Sequence, residues 1–412
     1  MGTKLQLPGN GPERAVVVGS GPAGSVAAAV LARRGLPVTL VDRQRFPRDK
    51  VCGDGVPPGS VEILDRIGAG PAVRAAGFTR IHGIRVVSPR GQTWQTGLRA
   101  RHEGLGFFVA PRIQFDSILR DHAIACGAQC VHGTVRELCR DGSGRVTGVR
   151  VSEHGREKIL GAFVVIGADG ATSRVARDLG AGAFAATLRG VAGSTAVAAR
   201  QYVEGIETVP DTVEFYFHRF LLPGYGWIFP LGRGRANVGV LVPAEHAHGK
   251  SGFPSRHLDQ FLSHRSVAPR LRASARCSAV ETWQLPCATP RRISRSAAGV
   301  LLVGDAASLV DPLTGEGIHA ALVSGELAGN AAADAMNGLL PTADMPARYE
   351  IGLQAALGPL IARAWSARHF IEHHPIVLEA LFWVARIGAG AVRHYINRIS
   401  SDFVAARPVR GE

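Results

Sequence analysis

The sequence predicts an α/β fold, a Rossmann-like βαβ domain with an inserted antiparallel β-sheet domain and a helical C-terminus. Three observations support it. The apolar strand AVVV (15–18) runs into the glycine turn GSGPAG and an alanine-rich helix. The stretch 184–284 alternates apolar and polar residues and concentrates aromatics in TVEFYFHRF and GYGWIFPLG, as a half-buried sheet does. A second strand, loop and helix follow in GVLLVGDAASLVDPLTGEGIHAALVSGELAGNAAADAM.

The elements follow in order. The first unit is strand 15–18, a helix closed by Gly35, and the strand LPVTLVD ending at Asp42. VSPRGQTWQTGLR (87–99) reads as a hairpin, and RIQFDSILRDHAIA from Arg112 as an amphipathic helix. Residues 130–166 read as short strands turning at DGSG and EHG and ending in AFVVIGADG. Beyond Pro346 apolar residues recur at helical spacing. Without a repeat or low-complexity linker, the domains are expected to interleave. A discontinuous nucleotide-binding domain covers 1–75, 105–180 and 285–345. A substrate sheet covers 76–104 and 181–284, and a helical region 346–412.

With 412 residues, 46% of them hydrophobic, the chain can bury a large core and is not disordered. The net charge of +14 is almost all arginine, since lysine occurs only at positions 4, 50, 158 and 250. No basic block is interleaved with aromatics, so nucleic acid is not an expected partner. The six cysteines form no CxxC pair and no histidines sit at zinc spacing, so no metal site is expected. Cys126 and Cys130 read as buried thiols. The N-terminal MGTKLQLPGNGPE lacks a signal-peptide core, which points to a cytoplasmic protein. The apolar run from Pro375 is broken by Glu379 and Arg386 and is too short to span a bilayer.

Gly19, Gly21 and Gly24, with Pro22 and Ala23 between them, suit a turn that brings backbone N–H groups against a pyrophosphate at a helix N-terminus. Asp42, eighteen residues beyond Gly24, is placed to bind ribose hydroxyls and would repel a 2′-phosphate. Its neighbour Arg43 is expected beside it. These residues indicate a dinucleotide.

Two further motifs, GADGATSR (167–174) and GDAASLVDPLTGEGI (304–318), together resemble those of the p-hydroxybenzoate hydroxylase-type flavoproteins. The resemblance implies FAD. It places Asp169 and Gly170 beside the cofactor, Gly304 and Asp305 at the ribityl chain, and Arg112 near the phosphates or ribityl. Val135 and the loop residues Pro312, Gly315, Glu316, Gly317 and Ile318 join the expected cofactor contacts. Helix-terminal amides there would face the flavin edge that gains negative charge on reduction.

FPRDKVCGDGVPPGSVEIL (46–64) and LLPGYGWIFPLGRGRANVGV (221–240) then resemble the geranylgeranyl reductase family, which includes menaquinone reductases. That resemblance implies hydride transfer from reduced FAD to a C=C bond of an isoprenoid or other lipophilic substrate. Cys52 and Gly53 are expected beside the ring, and Cys52, Tyr225 and Trp227 are the candidate catalytic residues. Tyr225, Trp227 and Phe229 are expected to wall an apolar pocket, with Tyr225 or Cys52 as proton source. The alternative is an FAD-dependent monooxygenase acting on a lipophilic or aromatic metabolite. Halogenation fits less well, because Tyr225–Pro230 reads YGWIFP rather than the related halogenases' Trp-x-Trp-x-Ile-Pro, and no lysine beyond Lys50 stands near a motif.

No second GxGxxG with a nearby acid occurs, so electrons come either from NAD(P)H visiting the flavin or from an external donor protein. Trp365, Phe370, Phe382, Trp383 and Tyr395 stand among arginines and histidines. They read either as helices packed on the domains or as a peripheral membrane contact. His319 reads as a cap or packing residue.

Overall fold

The computed structural model describes residues 14–98, 106–179, 194–246, 253–291 and 293–373. MGTKLQLPGNGPE, the apolar run from Pro375, and Phe382, Trp383 and Tyr395 lie outside the described residues.

One sheet orders its six strands Ser296–Ala297, Val300–Leu302, Val164–Gly167, Ala15–Val18, Val38–Asp42 and Gln129–His132. Every pairing is parallel except at the Ser296–Ala297 edge. The Ala15–Val18 and Val164–Gly167 strands are buried throughout, which explains continuous rather than alternating apolar residues. Helices Pro22–Arg33 and Ile318–Met336 lie side by side in the same direction. Their closeness depends on glycine: a Cβ on Gly325 would sit 2.3 Å from the Ala23 carbonyl oxygen. Both helix N-termini therefore open on one side of the sheet. The helix Met345–His373 closes the domain, with the Tyr349 hydroxyl donating to the Leu302 carbonyl at 2.5 Å.

The large sheet runs Leu271–Cys277, Thr195–Ile206, Arg235–Pro243, Tyr225–Gly232, Thr212–Tyr216, Gly83–Val87 and Thr93–Gly97, and Glu281–Pro286 also pairs with Thr195–Ile206. It departs from the expected antiparallel sheet in one place, because Thr212–Tyr216 runs parallel to Gly83–Val87. The expected 87–99 hairpin is shifted, with strands at 83–87 and 93–97. Its first strand, GIRVV, begins four residues before the expected start at Val87.

Along Tyr225–Gly232 the faces separate with period two. Tyr225, Trp227 and Phe229 join one core with Ile81, Val109 and Leu241, whereas Ile228 joins another with Phe261 and Val240. That second core includes a helix, Ser255–Leu262, inside the stretch expected to be all sheet. Leu258 and Phe261 are buried at helical spacing beneath the sheet. Helices Gly59–Ile67 and Gly70–Ala75 were likewise not anticipated.

A small sheet of Gly55–Val56, Phe107–Val109 and Thr79–Ile81 carries the Cys52 loop toward the aromatic strand. Among the described residues no helix is long and apolar enough to cross a membrane. Trp365 is half-buried on the Met345–His373 helix and Phe370 is exposed. Of the thiols expected to be buried, Cys130 is exposed because Gln129–His132 is an edge strand, and Cys126 is half-buried where it ends the Arg112–Ala125 helix.

Candidate active site

The strands ending at Val18, Asp42, Gly167 and Leu302 point into one cavity of about 1000 Å³, at the upper end of ligand sites, about 300–1,000 Å³. Gly19, Gly21, Pro22, Ala23, Asp42, Arg43 and Val135 line one end. Gly19 has φ +103°, and a Cβ there would lie 2.3 Å from the Ala168 carbonyl oxygen. Asp42 Oδ2 accepts the Ser20 N–H at 2.7 Å while Oδ1 accepts that of Gln44 at 2.8 Å. The carboxylate thus holds the glycine turn against the strand it terminates. Gly24 does not reach the cavity: its Cβ would sit 1.9 Å from the Gly19 carbonyl oxygen, so its smallness closes the turn instead.

Asp169, Gly170, Gly304 and Asp305 line the middle. Asp169 accepts the Ser173 hydroxyl at 2.5 Å and the Arg174 N–H at 2.6 Å, fixing the turn that Gly170 makes at φ +78°. Arg112 is buried and forks onto Asp116 through Nε and Nη2 at 2.7 and 2.8 Å, and Arg48 reaches the same carboxylate at 2.9 Å. Burial opposes the Arg112 charge, but Asp116 outweighs it and keeps the guanidinium charged. Lys50 Nζ meets Asp305 at 2.5 Å across the cavity wall.

The loop into helix Ile318–Met336 is self-supporting. Asp311 Oδ1 accepts the N–H of Leu313 and Thr314 at 2.9 and 2.7 Å, and Glu316 Oε1 accepts that of His319 at 2.7 Å. Gly315, at φ +68°, would drive a Cβ to 2.3 Å from Leu241. Gly315, Glu316, Gly317 and Ile318 line the cavity, and Pro312 does not; its carbonyl accepts from Arg368 at 3.3 Å outside it. Burial, reinforced by Asp311 and Asp305, pushes the Glu316 carboxyl up to about 8. His319 is buried and lowered to about 4 by burial and then Arg66, a neutral packing residue.

The far end is apolar. Tyr225, Trp227, Phe229, Phe215, Phe107 and Leu285 line it, with Phe215 edge-on to Tyr225 and Phe229 at ring separations of 5.5 and 5.3 Å. The Tyr225 hydroxyl donates to the Thr314 carbonyl, so its proton is committed to anchoring the loop. Trp227 Nε1 donates to Asn237 Oδ1 at 2.9 Å, and the indole occupies space that Gly239 leaves open, where a Cβ would lie 2.2 Å from Cζ2. Cys52 and Gly53 stand between the two ends. Burial raises the Cys52 thiol while the nearby Arg112 charge opposes that rise.

Sequence reasoning missed Asp54, Arg200, Tyr202 and Asn237, which tie the cysteine loop to the large sheet. Asn237 was detectable as a polar residue on the buried face of the apolar strand RANVGVLVP. Among the described residues no group of His, Cys, Asp or Glu could hold a metal ion.

The donor set fits an FAD molecule: a helix N-terminus and a carboxylate-braced glycine turn at one end, and a second helix N-terminus behind Gly315 and Gly317, whose bare backbone lines the cavity on the way to the aromatic wall. The FAD binding domain family model matches residues 13–338. The chain is 36% identical over 336 residues to the menaquinone reductase of Mycolicibacterium smegmatis, covering 76% of this chain and 74% of that one. It is 30% identical over 358 residues to a digeranylgeranylglycerophospholipid reductase of Methanocella arvoryzae, covering 86% of each. The chain belongs to the geranylgeranyl reductase family of FAD-dependent oxidoreductases. A solved relative, the geranylgeranyl bacteriochlorophyll reductase-like protein of Thermoplasma acidophilum, superposes with a TM-score of 0.76 at 27% identity over 86% of each chain. Its fold is the p-hydroxybenzoate hydroxylase type, and the family's FAD is this protein's cofactor.

Proposed function

We propose that this reductase saturates a C=C bond in the lipophilic tail of an isoprenoid substrate. The observation that carries the reading is the continuity of the dinucleotide cleft with an apolar chamber walled by Trp227, Phe229, Phe215 and Phe107. An unactivated alkene has no polar handle, so placement must come from flat apolar surfaces that exclude water. The segments 76–104 and 181–284 serve as the substrate domain in this reading. The chain's likeness to a menaquinone reductase and a digeranylgeranylglycerophospholipid reductase supports an isoprenoid.

FAD, when bound, supplies the hydride. The chain supplies the proton and the placement. Cys52 lines the cavity between its two ends, and its thiol is kept protonated by burial. Donating that proton to the second alkene carbon would leave a thiolate, for which the Arg112 charge is the neighbouring partner. Hydride plus proton accounts for the two hydrogens gained. Tyr225 holds the Thr314 carbonyl and therefore the loop, and Trp227 and Phe229 flank the alkene. The residues favour reduction over halogenation, because the Lys50 ammonium is paired to Asp305. Electrons reach the flavin from NAD(P)H or a donor protein.

Anaerobic incubation of the reduced holoenzyme with polyprenyl lipids and prenylated quinones, read by mass spectrometry, is expected to give products heavier by two hydrogens. Products formed only with oxygen and heavier by one oxygen atom would establish the monooxygenase reading instead.

A further inference from the structure

The cysteine loop is gripped from the large sheet by three side chains. Arg200, buried in the strand Thr195–Ile206, reaches Asp49 at 2.5 Å. Tyr202 on the same strand donates to Asp54 Oδ2 at 2.9 Å. Asn237 is fully buried and makes three bonds: it accepts from Trp227 Nε1 at 2.9 Å and donates through Nδ2 to the Cys52 carbonyl at 2.7 Å and to Asp54 Oδ2 at 2.8 Å. One amide thus spans the indole of the chamber wall and the loop bearing the thiol. Asp54 is itself fully buried between Gly53 and Gly55, in a left-handed conformation at φ +65°. Its Oδ1 has no hydrogen-bond partner.

We propose that Asn237 and Asp54 are positioning residues: they lock the cysteine loop to the Trp227 strand, and one proton on the Asp54 carboxyl sets the placement of Cys52 and the indole together. The proposal rests on the reading above in placing FAD beside Cys52. An ionised carboxylate accepts the Asn237 and Tyr202 bonds more strongly than a neutral acid does, and so draws loop and strand together. Burial raises the Asp54 carboxyl from its ordinary 3.8 to about 7, against the opposing effects of Asn237, Tyr202, Arg200 and Arg112. Those four are the groups that face it from the packed elements, and the Cys52 thiol is the neighbour on its own loop. An orphaned oxygen is the physical reason burial prevails, because a charge spread onto it finds no donor.

The test is a pH titration of the oxidised holoenzyme, read by flavin absorbance and fluorescence without substrate. The parent protein is expected to show a one-proton transition near pH 7. Asp54→Asn suits the left-handed backbone and keeps an oxygen for both donors, so it should fold and lose the transition. Tyr202→Phe removes one donor that favours the carboxylate and should move the midpoint up by about half to one pH unit. Glu316, which lines the cavity and is also raised, is the competing source, and Glu316→Gln should leave the transition in place. An unchanged transition in Asp54→Asn, its loss in Glu316→Gln, or an unmoved or lowered midpoint in Tyr202→Phe overturns the proposal. If the parent reduces no alkene yet titrates as described, the reduction reading fails and this one stands.

Discussion

Replacing Gly239 by alanine adds one methyl group where the chamber wall has no room. Gly239 pairs directly with Trp227, and the new Cβ would lie 2.2 Å from indole Cζ2, 2.5 Å from Cη2 and 2.6 Å from the Ala199 carbonyl oxygen. Optimal carbon contacts are about 3.5–4.0 Å. The strand cannot withdraw, since it is bonded to Thr195–Ile206 on one side and Tyr225–Gly232 on the other. The indole must therefore swing away and give up its bond to Asn237. Overpacking costs about 1–3 kcal/mol, and the lost hydrogen bond adds about 0.5–1.5 kcal/mol. Together they give a destabilisation of about 1.5–4.5 kcal/mol. Urea denaturation of the holoenzyme measures it. Gly142→Ala is the control, because its Cβ would meet no atom within 4 Å. Displacing a wall residue by about 1 Å should also lower kcat on the order of 10²-fold. A Gly239→Ala protein that unfolds within about 0.5 kcal/mol of the parent, the range of inert surface changes, and turns over at the parental rate would refute this packing argument.

Three more outcomes are expected. Cys52→Ala should retain FAD but lose about 10²–10⁴ in kcat, the usual worth of a positioned acid; an unaltered kcat would reduce the thiol to a wall. Tyr225→Phe should weaken FAD retention and stability by about 0.5–1.5 kcal/mol while kcat falls less than about tenfold, whereas a loss as large as that of Cys52→Ala would make it the donor. Asp54 has the opposite sign from an ordinary ion-paired carboxylate. Its folded value, about 7, lies above its ordinary 3.8, so the stability it contributes is complete below 3.8 and lost as pH rises through about 7. Thermal denaturation across that window should show Asp54→Asn gaining on the parent as pH rises, and a widening deficit would contradict the assignment.

Local signals were legible. Gly19, Gly21 and Asp42 line one end of the cavity because a short-range rule, strand then glycine turn then helix then strand-end acid, fixes their relative placement. Tyr225, Trp227 and Phe229 share a face because strand alternation demands it. Gly24 and Pro312 stand beside residues that line the cavity without lining it themselves: Gly24 closes the turn and the Pro312 carbonyl accepts from Arg368. The parallel pairing of Gly83–Val87 with Thr212–Tyr216 joins segments more than a hundred residues apart, and no local pattern marks it. The Asn237–Asp54 contact is hidden for the same reason, its partners standing 183 positions apart.

The most direct measurement is a single-turnover experiment with the FAD-loaded protein, reduced chemically and mixed without oxygen with a polyprenyl substrate. The account predicts that the flavin's yellow absorbance returns only when the alkene is present, in proportion to the C=C bonds saturated. A flavin that stays bleached with every alkene and recovers only on admitting oxygen would contradict it.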